Sequence, residues 1–150
     1  MAFSFLGING PRLTTILSWV FHSVLRDGCL TNGTFSIVAI HGLGGDWKET
    51  WTADNGRLWL RDFLPLQLPN ARIMSYGYDS GTFFTQSTEN ITDIAATLLA
   101  MLRTKRRHAA EKARPIMFIS HSLGGIVVKK AGLHHNYRSQ RNRVLTSIIY

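Results

Sequence analysis

The sequence is poor in several residue types, and each shortage narrows what the chain can be. One cysteine, Cys29, stands among 150 residues, so no intrachain disulfide can form and nothing points to an oxidising compartment. The sequons Asn32-Gly33-Thr34 and Asn90-Ile91-Thr92 are accordingly read as fortuitous. The apolar segment over 13–25 falls short of the roughly 20 residues that a membrane-spanning helix needs. The 6 histidines never stand with acids or cysteines at metal-ligand spacing, so no metal is expected. No internal repeat or low-complexity stretch is present. Acids are scarce, 9 Asp and Glu against 17 Lys and Arg, and after Ser122 there are none.

What remains is a chain with 45% hydrophobic and 17% charged residues, the balance of a globular domain. A chain of this length buries roughly 68–70% of the surface it exposes when unfolded, enough for a real core. The formal charge of +8 is concentrated in two places. One holds Arg103, Lys105, Arg106, Arg107, Lys112 and Arg114; the other holds Lys129, Lys130, Arg138, Arg141 and Arg143. Such clusters are usually solvated helix ends and loops; the functional alternative is attraction to an anionic membrane surface or another polyanion. No nucleic-acid recognition motif accompanies the charge, so nucleic acid is not an expected partner.

Along the chain, apolar residues at 13, 16, 17, 20, 21, 24 and 25 predict an amphipathic helix ending at Gly28. Residues 1–34 therefore read as an N-terminal segment, either a helix packed on the domain or a Ser/Thr-rich targeting sequence containing Arg12 and Arg26. Residues 35–150 read as one α/β domain. The continuous apolar run at 35–40 predicts a strand buried on both faces, and 72–78, 116–119 and 144–150 predict three more. An apolar-periodic piece at 58–68 is broken by Pro65 and Pro69. Helices are expected over 90–112, with a cap at Ser87 or Thr88, and over 122–134. Strand alternating with helix at this spacing implies a parallel sheet.

The stretch "PIMFISHSLGGIVVKKA" carries the chemistry. Ser122 stands where a strand turns sharply into a helix, a position that lifts a serine Oγ above the carboxyl edge of a sheet. Small residues are needed two positions either side; here they are Ser120 and Gly124, with Gly125 extending the close approach and His121 just before the serine. Backbone donors for an oxyanion are available at Leu123, directly after the serine, and at Leu43 in the "HGLGG" loop of His41, Gly42, Leu43, Gly44 and Gly45. That loop directly follows the run at 35–40, and its combination with the serine motif is far more specific than either alone. His41 is expected to have a structural hydrogen-bonding role, His121 to project away from the serine, and Asp79 to be a strand-end acid. Trp47, Trp51 and Trp59 read as packing residues, with an acyl pocket as the alternative. Cys29 reads as a small apolar residue near a helix end.

"IVAIHGLGGDWKETWT", "ARIMSYGYDS" and "FISHSLGGIVVKKA" resemble, in order and spacing, three blocks of the α/β-hydrolases of the serine esterase (lipase-like) group, the serine-active-site-containing proteins among them. The resemblance implies a partial α/β-hydrolase fold of about four parallel strands, in the order second, first, third, fourth. It implies hydrolysis of acyl esters or lipids, including lipid remodelling, without a cofactor. It also implies association with mitochondrial or endoplasmic-reticulum membranes; without it, a cytoplasmic location is the default. In that fold an acid and then a histidine follow the serine. Here only His134 and His135 follow, about twelve residues along the helix and so roughly 18 Å away. The expectation is a larger hydrolase domain of which this chain is a truncated part, with a non-catalytic remnant or interaction module as the alternative.

Overall fold

The structure, a computed structural model, describes residues 20–24, 34–80, 91–134 and 144–149. Cys29, His135, and the expected cap at Ser87 or Thr88 lie outside them. Four strands are parallel: β2 (Phe35–Ile40), β3 (Ala71–Gly77), β4 (Ile116–His121) and β5 (Val144–Ile149). A fifth, β1 (Val20–Ser23), joins β3 antiparallel, and the sheet order is β1-β3-β2-β4-β5. The parallel part therefore has the expected order. β2 and β3, each flanked by a strand on both sides, are buried on both faces at nearly every position, which is why β2 reads as an apolar run broken only by Ser36.

Two cores flank the sheet. On one face Val38, Ile40, Met74, Tyr76, Ile116 and Phe118 meet α3 (Ile91–Lys105) through Ile94, Ala95, Leu98 and Leu102, and α5 (Leu123–His134) through Val127, Val128 and Ala131. On the other, Ile37, Ala39, Ile73 and Ile119 meet Trp51, Leu58 and Leu60. Those three belong to the long β2–β3 connection, which contains a 3-10 turn (Glu49–Trp51) and two short helices, α1 (Trp59–Asp62) and α2 (Leu64–Gln67). Trp51 and Trp59 stack at 6.1 Å between ring centroids, so both act in packing. The connection after β2 thus leaves toward one face, and the helix after β4 toward the other. Neighbouring parallel strands whose connections part in this way open a crevice at their carboxyl ends.

Two elements differ from the sequence reading. The helix expected over 13–25 is a strand where it is described, at Val20–Ser23, paired with Met74–Gly77. Positions 20, 21 and 24 fit a helical stripe, but pairing with the open edge of β3 satisfies this backbone and buries Val24. The single helix expected over 90–112 is two, α3 and α4 (Ala109–Ala113). The Arg106 guanidinium occupies the break, donating to the Glu111 and Lys112 carbonyls at 2.9 and 2.8 Å and also to the Arg114 carbonyl. Arg72 ties the same corner to β3 through the Lys105 carbonyl at 3.0 Å and the Glu111 carboxylate at 3.4 Å. Part of the basic cluster is therefore structural, while Lys105, Arg107 and Lys112 stay exposed. No helix among the described residues is long and apolar enough to cross a membrane.

Candidate active site

The crevice lies between the carboxyl ends of β2 and β4. Ile40 pairs with Ser120, so two residues further on Gly42 and Ser122 come face to face. An added Cβ at Gly42 would fall 2.9 Å from Ser122 Cβ and 3.0 Å from the His121 carbonyl oxygen, too close for any side chain. Gly124 is constrained from the other direction: its Cβ would come within 2.5 Å of the Ile40 carbonyl oxygen and 2.6 Å of that of His41. The first turn of α5 thus rests directly on the end of β2. Between these contacts the chain turns from strand to helix in one residue, and Ser122 takes a left-handed conformation at φ 49°. It is the one non-glycine residue with positive φ among the described residues. A serine held there costs of order 1–3 kcal/mol of backbone strain, and that strain leaves its side chain exposed at the sheet edge.

Backbone donors stand on both sides of the serine. Leu123 opens α5, whose first N–H groups have no intrahelical acceptor and sit at the positive end of a 12-residue helix dipole. Gly125 N–H closes the turn onto the Ser122 carbonyl at 3.0 Å. On the opposite side, the Gly42 carbonyl accepts from His41 Nδ1 at 2.9 Å and from Gly45 N–H at 3.2 Å. That carbonyl and the Leu43 N–H belong to one planar trans peptide and point in opposite directions. Fixing the carbonyl inward therefore aims the Leu43 N–H outward, away from the loop's own bonds. Leu43 and Gly44 are exposed at the tip, with Gly44 left-handed at φ 64°.

His41 is the fastening of this loop. Its ring is buried, stacks on Tyr78 at 4.3 Å and 11°, and accepts the Tyr78 N–H at Nε2 (3.3 Å). The proton therefore resides on Nδ1, where it bonds Gly42. Tyr78 returns a bond from its hydroxyl to the His41 carbonyl at 2.8 Å. Burial pushes the Tyr78 phenol up and His41 down; the Gly42 bond and Asp46 only partly oppose the shift at His41. Asp46 stabilises the loop's exit. Burial alone would raise its carboxyl, but the Lys48 and Glu49 N–H groups at 2.7 and 3.0 Å, together with His41, hold it below its ordinary value.

The remaining sequence candidates are placed as follows. His121 is exposed beside Gly42, and Asp79 is half-buried with an interaction partner of its own. Ser120 is fully buried under the elbow, and its Oγ has no hydrogen-bond partner among the described residues. His134 ends α5, at the far end of that helix from Ser122. The sequence reading gave no role to Tyr78, Ser75 or His22. A tyrosine directly after a buried strand is a weak signal, and its partner lies 37 residues away in sequence.

Two outcomes follow from this arrangement. In the unfolded chain a histidine takes up a proton near pH 6.5, whereas the folded protein holds His41 below that value. The stability carried by neutral His41 is thus complete above about pH 6.5 and is lost as pH falls below it. Urea denaturation from about pH 7.5 to about pH 5 is expected to show this loss. His41→Gln, which cannot titrate, should reduce it, leaving the share of His22, which burial also holds below its ordinary value, and lower the plateau by about 1–3 kcal/mol. Ser120→Ala removes an unpaired buried hydroxyl and should raise stability by about 1 kcal/mol; a loss of that size would mean that Oγ has a partner in solution.

No family model matches the chain. It is similar to Protein SERAC1 of Danio rerio, 29% identical over 128 residues that cover 71% of this chain and 20% of that protein. It is likewise similar to Protein SERAC1 of Bos taurus (29% over 129 residues, 74% and 20%) and of Homo sapiens (27% over 129 residues, 74% and 20%). The chain spans about a fifth of the length of these curated relatives. Among solved structures it resembles the Bacillus licheniformis lipase BlEst2, with a TM-score of 0.56 at 21% identity, covering 85% of this chain and 45% of that one. It also resembles the NocB thioesterase domain from the Nocardicin cluster, at 0.51 and 16%, covering 83% and 46%. The fold of this chain is that of the α/β-hydrolases, with a partial parallel sheet flanked by helices.

Proposed function

We propose that this chain carries the nucleophilic half of a serine ester hydrolase. The observation behind the reading is Ser122 at positive φ in a one-residue turn, packed against Gly42. Ser122 Oγ would attack an ester carbonyl carbon while the Leu43 and Leu123 N–H groups receive the developing oxyanion. A general base would take the Ser122 proton and deliver it to the departing alkoxide; water would then release the acid and restore the serine. The reading requires a histidine and an acid brought to Ser122, since a base must come within about 3 Å of Oγ. A second reading is a non-catalytic hydrolase-fold module, in which the Ser122 hydroxyl meets no base.

Likeness to Protein SERAC1, a lipase and a thioesterase domain supports acyl esters or lipids as the substrate class, lipid remodelling included. Membrane association, mitochondrial or at the endoplasmic reticulum, belongs to the same proposal. Its one local support is the exposed set Lys105, Arg107 and Lys112 at the α3–α4 corner. This corner lies at the amino ends of the strands, opposite Ser122, so an anionic surface bound there would leave the serine edge open.

Fluorophosphonate labelling tests the first point, because the serine oxygen displaces fluoride only at an activated serine. Labelling of the protein that disappears in Ser122→Ala is the expected result; a protein that stays unlabelled is the non-catalytic module. Flotation with liposomes tests the second. Binding to anionic but not neutral vesicles, lost on changing Lys105, Arg107 and Lys112 to Glu, is expected; equal binding to both vesicle types would remove the corner from the proposal.

A further inference from the structure

β1 does more than widen the sheet. Its pairing places His22 opposite Ser75 of β3, and the strand continues through a Val24 N–H bond to the Ile73 carbonyl at 3.3 Å. Val24 is buried in the core beneath the β2–β3 connection. The His22 ring lies flat on Trp47, with centroids 3.6 Å apart and planes 9° from parallel. Trp47 is itself seated on β3. Its carbonyl accepts the Ser75 hydroxyl at 2.7 Å, and an added Cβ at Gly77 would come within 3.3 Å of Trp47 Cβ. The indole therefore lies across the end of β3, between that strand and His22. Trp47 closes the loop that His41 opens, so the loop is fastened to the sheet at two points. His41 on Tyr78 holds its start, and Trp47 on β3 and His22 holds its finish.

We propose that β1 is a working part of the site and that His22 is a positioning residue, holding Trp47 and through it the loop that presents the Leu43 N–H. One consequence concerns residues 1–34: without β1 the Trp47 carbonyl keeps its bond from Ser75, but the ring over the indole is lost. The geometry of the fastening is independent of catalysis; only its effect on Ser122 rests on the hydrolase reading.

Amide hydrogen exchange on the full chain tests it. The Gly45, Lys48 and Glu49 N–H groups bond within the loop and report its closure. His22→Ala should speed their exchange roughly three- to tenfold, the equivalent of one aromatic stack, while Phe118 and Ile119 in β4 stay unchanged. His22→Phe restores a ring over Trp47 and should restore parental exchange. Equal loop exchange in parent and His22→Ala, an equal rise in β4, or no recovery with Phe overturns the proposal. Fluorophosphonate reaction is followed in the same variants: slower in His22→Ala and normal in His22→Phe is expected, and an unchanged rate beside a loosened loop rejects the positioning role. No reaction in the parent rejects the hydrolase reading, while the exchange rates still decide whether β1 holds the loop.

Discussion

The contact of Gly42 with Ser122 is the constraint on which the site depends. Two parallel strands held at about 4.8 Å must separate at their carboxyl ends if each is to continue on its own face of the sheet. β2 ends in a loop that crosses β3, and β4 ends in a helix that packs against the opposite core. With Ile40 level with Ser120, there is room for one side chain where the paths part, and Ser122 supplies it. The left-handed backbone at Ser122 is the local cost of turning there, and the two cores hold it in place from both sides.

Much of this was legible in the sequence because it is local. Strands buried on both faces leave apolar runs, and Ser122, Gly124 and the loop His41–Gly45 stand at the ends of such runs. What stayed hidden depends on long-range pairing. Val20, Phe21 and Val24 suit a helical stripe as well as a strand, and the choice was made by the open edge of β3, some fifty residues away. The break after α3 is partly of this kind: Arg106 grips nearby carbonyls of α4, but Arg72 reaches the same corner from β3. The partner of His41 could not be read: Tyr78 reaches it only after β3 has been laid beside β2.

The loop after β2 shows how a flexible sequence becomes a rigid donor. "HGLGGD" has three glycines in six residues and would be mobile if left to itself. Its order is imposed from both ends by groups buried or half-buried in the sheet. At one end, neutral His41 turns the Gly42 carbonyl inward; at the other, Asp46 accepts the Lys48 and Glu49 N–H groups while Trp47 lies on β3. Because the carbonyl and the next N–H share a plane, bonds made beneath the loop set the direction of a dipole above it. Preorganisation of this kind needs no charge at the site, which suits an oxyanion hole built from backbone.

The charge of the molecule lies elsewhere, and the separation has a consequence. β4 is 6 residues long, so the α3–α4 corner at its amino end and Ser122 at its carboxyl end are roughly 20 Å apart. That exceeds two Debye lengths at physiological salt, where the Debye length is about 8 Å. The exposed cations of the corner can therefore attract an anionic partner without altering the electrostatics at Ser122. On the proposed reading, docking and chemistry are then separable. The corner is set by Arg106 and Arg72 gripping carbonyls at the amino edge, the elbow by glycine contacts at the carboxyl edge, and the sheet between them keeps the two surfaces facing opposite ways.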